Sequence, residues 1–282
     1  MKKIAFMCDS AADIDEEEAQ KLNLYVLRMP LTIDGQTYKE GIDISLDEIL
    51  QKLRDGKNVK TSQPVLGDIL KMWDSLLEEY DEIFYVPMSK ALSGTCQNSI
   101  NLSQQEPYKG KVFVLNSDYI AYPVVNLLLW AREQSNAGHS LQEIKDKIEK
   151  EGGMCAILIP ENLEILKRGG RITPAAAAMA GLLKIQPLLW IDANGIDQLA
   201  KVRTLKKAYD RGIKAILKDV KDPADYYWMI IDTDNRKVSD QLRPMLEEAT
   251  GQKVFQKHFN AIITSHTGPG TIAFGRIRNL KF

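Results

Sequence analysis

The chain has 282 residues, which is long for a single hydrophobic core and favours two packed domains. Hydrophobic residues make up 44% and charged residues 27%, so neither extensive disorder nor a membrane-embedded chain is expected. Lys and Arg number 37 against 38 Asp and Glu, a formal net charge of −1. No global field therefore favours nucleic acid or an anionic membrane as a partner.

The cysteines and the apolar runs indicate where the protein resides. Cys8, Cys96 and Cys155 are far apart and form no CxxC or Cys/His pattern, which predicts reduced thiols and no metal site. The apolar run at residues 4–7 stops near Asp9, well short of a signal-peptide core. No run approaches the roughly 18 apolar residues of a membrane helix. We therefore expect a cytoplasmic protein.

The first half alternates short apolar runs with amphipathic stretches, which is the pattern of a parallel sheet covered by helices. Strands are predicted at residues 4–7, 25–32, 81–87 and 111–115. Helices are predicted at residues 15–22, 46–54, 67–80, 94–105, 119–138 and 140–150. Ser45 and Glu48 have the spacing of a capping box for the second of these helices.

Polar clusters follow three of these strands. They are Asp9-Ser10, residues 89–95 and residues 116–118. In an open parallel sheet the ligand crevice lies beyond the carboxyl ends of the strands, so these clusters are expected to converge on one site.

The second half opens near Gly152-Gly153, so we predict one α/β domain over residues 1–152 and another over 153–282. Strands are predicted at residues 154–160, 186–192, 226–232 and 260–264. Helices are predicted at residues 162–166, 204–218 and 236–250, with a further helix starting at Thr173-Pro174. The basic stretch 167–171 is predicted to be a loop. Two lobes with a cleft between them are expected.

Common catalytic signatures are missing from the sequence. GxGxxG, GxxxxGK[ST], GxSxG and HExxH do not occur, which removes the main support for nucleotide-dependent enzymes and for serine or zinc hydrolases. Hydroxyl-rich loops occur instead, at residues 9–13, 61–64, 93–95 and 266–270. Hydroxyls and backbone N–H groups at a helix start suit an anion such as a carboxylate. Each loop taken alone is also explained as a helix cap or a turn.

Taken together and in this order, these loops resemble the DegV family, whose characterised members bind fatty acids and include the FakB subunit of bacterial fatty acid kinase. The resemblance covers essentially the whole chain. It rests on residues 9–14, 61–64, 93–95, 164–172, 184–187, 202–204 and 266–270.

The resemblance implies an α/β protein of two lobes, with an N-terminal Rossmann-like parallel sheet and a C-terminal mixed or antiparallel sheet. A long-chain fatty acid would lie in a tunnel between the lobes as the only ligand, without a cofactor. Its carboxylate would be bound by Thr61, Ser62, Ser93, Gly94, Thr95, His266 and Thr267. The chain would be a carrier without catalytic residues, which presents the carboxylate to a partner kinase for acyl-phosphate formation. Arg171 and Arg203 would dock that kinase.

Two other functions remain open from the sequence. One is a lipid hydrolase or acyltransferase with Ser93 as nucleophile and His266 as base. The other is a relative that binds a different amphipathic acid and has no kinase partner.

Two positions depart from the family pattern. Val65 stands where relatives usually have serine, and Tyr122-Pro123 lies where they carry small residues. The sequence does not decide whether Tyr122-Pro123 narrows the tunnel or faces solvent.

Overall fold

The computed structural model describes residues 2–182 and 184–282. In chain order, the strands in this part of the protein are β1 (Ile4–Asp9), β2 (Tyr25–Leu27), β3 (Pro30–Ile33), β4 (Gln36–Lys39), β5 (Val59–Thr61), β6 (Glu82–Val86), β7 (Val112–Val114), β8 (Met154–Ile159), β9 (Gln186–Asp192), β10 (Gly195–Val202), β11 (Tyr226–Asp232), β12 (Val254–His258) and β13 (Ile272–Arg278). The α-helices are α1 (Glu16–Lys21), α2 (Leu46–Arg54), α3 (Leu66–Leu77), α4 (Thr95–Ser103), α5 (Pro123–Asn136), α6 (Leu141–Glu151), α7 (Leu163–Gly169), α8 (Pro174–Ala177), α9 (Leu205–Leu217), α10 (Arg236–Thr250) and α11 (Ala261–Thr267).

The N-terminal sheet is parallel, with the strand order β2-β1-β6-β7. Successive side chains of a strand point to opposite faces of the sheet, and here both faces are buried. Met7 and Tyr85 pack against Trp73 of α3 on one face. Phe6 and Phe84 belong to the core on the other face, which α5 and α6 also enter. The predicted parallel sheet covered by helices is confirmed.

The C-terminal sheet is mixed, with the order β10-β9-β8-β13-β11-β12. Its β11 and β12 pair in parallel across α10, and the neighbouring pairs are antiparallel. One face packs against α9 and α10. The other face contributes Leu158, Met229 and Ala273 to the same core cluster as the N-terminal sheet. The two sheets therefore share one core. The division between residues 152 and 153 stays a prediction.

A smaller antiparallel sheet of β4, β3 and β5 is a feature that the sequence did not predict. The stretch expected as one strand at residues 25–32 is split into β2 and β3, and β3 begins at Pro30 and leaves the parallel sheet. At three residues, β5 is too short for an alternating pattern to be read. This sheet matters because it places Thr61.

The strand predicted at residues 260–264 is wrong, because this segment starts the helix α11. Its apolar residues have the β-branched character of a buried strand, and short apolar runs do not distinguish a buried strand from a buried helix. Residues 261–265 are all buried, so no polar face reveals a helical period. The block from His266 to Gly270 therefore follows a helix and not a strand.

Two helix boundaries also differ from the prediction. Residues 167–169 belong to α7, and Gly170, with φ of 69°, ends that helix in the left-handed conformation favoured by glycine. The helix predicted from residue 119 begins only at Pro123.

Strands β10, β12 and β13 of the C-terminal sheet were not predicted from the sequence.

Among the helices in the described part of the chain, none is long and apolar enough to cross a membrane.

Candidate functional site

A cavity between the two sheets carries most of the residues expected to bind a ligand. It encloses about 530 Å³, including its open mouth, and we call it the head cavity. Its apolar wall combines side chains from both halves of the chain, among them Met29, Met88, Leu92, Leu166, Ile196 and Ile262. Its polar end is formed by Thr61, Ser62, Gln63, Ser93, Arg171 and His266.

Thr61 and His266 are hydrogen-bonded at this polar end. The Oγ1 atom of Thr61, at the end of β5, lies 2.6 Å from Nε2 of His266, in the last turn of α11. The buried Nδ1 atom of His266 has no hydrogen-bond partner among the described residues. A buried acceptor without a partner is less costly here than an N–H without one, so we assign the proton to Nε2. His266 then donates to Thr61, whose own hydroxyl proton is directed to another acceptor.

The glycines of the basic stretch make room for this histidine. A Cβ atom at Gly169 would lie 2.7 Å from Nδ1 of His266, a separation that real side chains do not adopt. Gly169 therefore lets α7 approach the imidazole closely. After the left-handed Gly170, Arg171 donates from Nη1 to the carbonyl oxygen of Gly169 at 2.6 Å. Residues 167–171 therefore shape the site through Gly169 and Gly170 as well as through their basic side chains.

Burial controls the protonation of His266. Loss of solvent disfavours the imidazolium, and the positive charge of Arg171 adds to this effect, so the pKa of His266 falls to about 4. The side chain is therefore neutral at physiological pH. It acts in the site as a hydrogen-bonding group and does not attract an anion by charge.

Ser93 adds a second hydroxyl at the start of α4. Its Oγ atom lies 2.9 Å from Oγ1 of Thr95 and accepts a hydrogen bond from the backbone N–H of Thr95 at 3.2 Å. Gly94, the N-cap residue of α4, provides no side-chain cap, and the N–H of Thr95 is already used by Ser93. Because Gly94 has no Cβ, the amide of Gln63 lies against it and accepts a hydrogen bond from Asn98.

The structure groups some of the expected ligand residues and separates others. Thr61, Ser62, Ser93, His266 and Thr267 all line the head cavity. The hydroxyl of Thr267 donates within its own helix to the carbonyl oxygen of Ile263 at 3.0 Å. Gly94 and Thr95 do not line the head cavity, and Thr95 instead forms hydrogen bonds with the hydroxyl of Ser93.

Gln63, Met29 and Met88 are lining residues that the sequence interpretation did not assign. Gln63 belongs to the block at residues 61–64. Its position next to Thr61 and Ser62 could have indicated that it lines the same site.

The polar clusters after β1 and β7 serve mainly structural roles. The carboxylate of Asp9 accepts hydrogen bonds from the backbone N–H groups of Ala11 at 3.1 Å and Met88 at 2.8 Å, and burial raises the pKa of Asp9 to about 6. The hydroxyl of Ser10 accepts from the N–H of Met29, and that of Ser117 accepts from the N–H of Tyr119. Three polar clusters were expected to converge on one site. Of these, the cluster at residues 89–95 lines the head cavity, through Leu92 and Ser93.

A second, mainly apolar cavity adjoins the head cavity at Ile120. It encloses about 410 Å³ with its open parts, and Ile120 lines both spaces. We call it the distal cavity. Its wall is built from strands β8, β9, β11 and β13 of the C-terminal sheet and from the segment that leads into α5. Its lining residues are mostly apolar, among them Pro123, Met154, Ile191, Met229, Ile231 and Ala273, and they also include Arg276. Ile120 borders both cavities, and the hydroxyl and imidazole groups described above line the head cavity and not the distal cavity.

A third cavity also borders the Thr61–His266 pair. It encloses about 630 Å³ with its mouth and shares Thr61, Arg171 and His266 with the head cavity. Lys57, Lys60 and Arg168 also line it, and no carboxylate is among the lining residues in the described part of the chain. Lys57 pairs with Asp34 at 2.9 Å. We call this space the basic cavity.

The two arginines expected to dock a partner occupy different places. Arg171 lies where the head cavity meets the basic cavity. Arg203 follows β10 on the surface and lines neither cavity. A role for Arg203 in docking stays a prediction.

The departures from the family pattern also have defined positions. Val65 is 63% exposed and is the N-cap residue of α3, so the absent hydroxyl removes a possible helix cap and not a cavity ligand. Pro123 lines the distal cavity, whereas Tyr122 donates its hydroxyl to Glu18 at 2.7 Å on the outer side.

The structure also bears on catalytic and metal chemistry. Nε2 of His266 bonds to Thr61, and the hydroxyl of Ser93 bonds to Thr95, so the pair needed for a serine nucleophile is not joined. In residues 2–182 and 184–282, no group of three or more His, Cys, Asp or Glu side chains is placed to hold a metal ion.

The low pKa of His266 predicts a pH-dependent contribution to stability. In the unfolded chain the imidazole binds a proton near its ordinary pKa of 6.5, whereas in the folded protein it does so only near 4. The unfolded state therefore gains protons first as the pH falls through this window, and stability is lost there. Relative to His266→Gln, the wild type should lose roughly 2 kcal/mol of unfolding free energy between pH 7.5 and pH 5. Denaturant titrations at both pH values measure this difference, and parallel losses in the two proteins would contradict the assignment.

Comparison with known proteins places the chain in a family. The model of the DegV family, described as uncharacterised protein, matches residues 3–279. A DegV domain-containing protein of Streptococcus pyogenes is 32% identical over 281 residues, covering 97% of this chain and 98% of the relative. A fatty-acid-binding DegV-family protein of Streptococcus agalactiae is 28% identical and has a TM-score of 0.84 over 99% of both chains. A DegV-family protein of Thermus thermophilus, solved to describe its fatty acid binding, is 27% identical and has a TM-score of 0.85 over 98% of this chain and 99% of its own. This chain belongs to the DegV family.

Proposed function

We propose that this protein binds one long-chain fatty acid, with the carboxylate at Thr61 and Ser93 and the tail in the tunnel. The observation that carries the proposal is the pair of mainly apolar cavities that Ile120 borders, with hydroxyls in the head cavity, because together they match the size and polarity of a fatty acid. In this proposal the tunnel is the path of the tail through both cavities. The fatty acid binding of the two relatives above 25% identity supports the same ligand class.

The apolar wall supplies most of the binding free energy. Burying about 15 methylenes at about 0.8 kcal/mol each gives on the order of 12 kcal/mol before association costs are subtracted. The carboxylate end contributes less affinity but fixes the orientation. Hydrogen bonds from the hydroxyls of Thr61 and Ser93 would replace the water that the carboxylate loses.

We further propose that the protein is a non-catalytic carrier that presents the carboxylate to a fatty acid kinase. The basic cavity supports this role, because it shares Thr61, Arg171 and His266 with the head cavity and is lined by further basic residues. A kinase must bring a polyanionic nucleotide to a negatively charged carboxylate. Lys60, Arg168 and Arg171 would reduce that repulsion, and the kinase would supply the nucleotide and its metal ion.

The alternative is a lipid hydrolase or acyltransferase that uses Ser93 and His266. It requires a hydrogen bond between the two side chains and a base of suitable strength, but His266 bonds to Thr61 and its pKa is depressed to about 4. Turnover of a chromogenic acyl ester, lost in Ser93→Ala, would favour this alternative over the carrier.

Protein produced in bacteria is expected to retain a fatty acid through purification, because the buried tail makes dissociation slow. Native mass spectrometry should show one added mass of a long-chain acid per chain, and solvent extraction should release it. Apo protein alone, together with no uptake of added fatty acid, would rule out the proposed function.

Removing the two hydroxyls should weaken binding while leaving the fold intact. Thr61→Val keeps the shape of the side chain and removes its hydroxyl, and Ser93→Ala does the same at the start of α4. Since a hydrogen bond to a charged group contributes about 1.5–3 kcal/mol, each variant should lose roughly ten-fold or more in affinity for a fatty acid. Thr37→Val is a matched control, since Thr37 is an exposed residue of β4 that does not line the cavity. Wild-type affinity in the double variant would remove both residues from the site.

Arg171→Ala should reduce acyl-phosphate formation more than it reduces fatty acid binding. The expected deficit is greatest at low salt, where charge contacts with the kinase and its nucleotide are least screened. Arg203→Ala tests the second predicted docking residue, and Arg243→Ala on the exposed side of α10 controls for the loss of one surface charge. Rates are measured with the cognate kinase at subsaturating carrier. Equal rates for Arg171→Ala and Arg243→Ala would refute the docking role of Arg171.

A further inference from the structure

The distal cavity lies above a row of paired residues that crosses the C-terminal sheet. In register, the row contains Ile191 of β9, Ala156 of β8, Gly275 of β13, Met229 of β11 and Phe255 of β12. Paired residues project from the same face of a sheet. Because strands lie about 4.8 Å apart, the row runs roughly 14 Å from Ile191 to Met229.

The middle of this row is open because its side chains are small. Gly275 has no side chain, and a Cβ atom there would lie 2.7 Å from the Cα atom of Ala156. Ala156 contributes only a methyl group. Met229 is the next residue along the row and the first with a long side chain, and it lines the distal cavity. An acyl tail that passes over Ala156 and Gly275 therefore meets Met229.

A groove lies on the far side of Met229. It encloses about 800 Å³ with its open solvent, and its wall includes Met229 together with Tyr122, Trp130, Tyr227 and Phe255. Tyr227 is 41% exposed and Phe255 is 43% exposed, whereas Met229 is only 4% exposed. The same methionine thus lines both the distal cavity and this groove, which we call the aromatic groove and which is also lined by Asn126, Glu133, Gln256 and Lys257.

We propose that Met229 plugs the methyl end of the acyl tunnel and sets the length of chain that binds without strain. Acids whose tails end before Met229 fit completely. Longer acids must displace the side chain, and their last methylenes then enter the aromatic groove. Methionine suits this position because its unbranched, flexible side chain adapts to what lies against it. This inference rests on the proposed function, which it deepens by assigning the residue that selects the substrate.

The test compares affinities for saturated fatty acids of 14 to 22 carbons in delipidated wild type, Met229→Ala and Met229→Phe. Met229→Ala should move the best-bound chain length up by about two carbons or more, and Met229→Phe should move it down. Each methylene gained inside an apolar site raises affinity about four-fold, the equivalent of about 0.8 kcal/mol. With about two more methylenes of the 20-carbon acid accommodated, the ratio of affinities for the 20-carbon and 16-carbon acids should therefore rise about 15-fold in Met229→Ala.

Met7→Ala is the matched control. Met7 is a fully buried methionine of β1 that packs against α3, on the side of its sheet away from the tunnel. Its truncation should lower stability without changing the preferred chain length. An unchanged optimum in Met229→Ala, with fatty acid still bound, would overturn the plug and leave the proposed function standing. A wild type that binds no acid in the series would overturn both. The 20-carbon to 16-carbon affinity ratio is measured within each variant. A loss of protein stability that weakens the binding of all acids equally therefore leaves this ratio unchanged.

Discussion

The position of α11 is the constraint on which the site depends. This short buried helix comes from the second half of the chain, yet it contacts α2 and β5 from the first half as well as α7. At its start, the backbone N–H of Asn260 donates to the carboxylate of Asp13 at 2.7 Å. At its end, His266 reaches Thr61. If α11 shifted by one turn, the imidazole would lose both Thr61 and the space beside Gly169.

The hydrogen bond at the start of α11 requires that the carboxyl group of Asp13 be buried. Asp13 is almost completely buried and adopts a left-handed conformation with φ of 53°. Burial raises its pKa well above the ordinary value, the hydrogen bond from Asn260 opposes that change, and the nearby charge of Glu40 adds to it. Glu40 is in turn paired with Arg28 at 3.1 Å. A network of buried polar groups thus joins the first polar loop of the chain to the helix that carries His266.

The apolar cavities follow from the way two sheets share one core. Close packing normally fills such a core with large side chains. Here Ala156, Ala273 and Gly275 leave space at the centre of the C-terminal sheet, and residues such as Ile120 and Ile191 line that space instead of filling it. An apolar ligand would restore the missing contacts. The polar groups are confined to one end, where β5, α4 and α11 meet, so the same arrangement that opens the core also gives it a direction.

The assignment of Thr61, Ser93 and His266 to one site came from the resemblance to the DegV family. The sequence patterns themselves predicted the α/β fold class, the parallel N-terminal sheet and the hydroxyl-rich loops. Local signals sufficed for these, because buried strands are continuous apolar runs and the hydroxyl-rich loops with glycine stand out between helices. The sequence could not determine that residues 261–267 form a helix, since every position up to Ser265 is buried and no period is visible. Nor could it determine which hydroxyl the imidazole of His266 bonds, because Thr61 and His266 are 205 residues apart and meet only through the packing of α11 on β5. The place of Met229 likewise depends on strand register across β8, β13, β11 and β12. Register is a property of the assembled sheet and leaves no trace in any one of its strands.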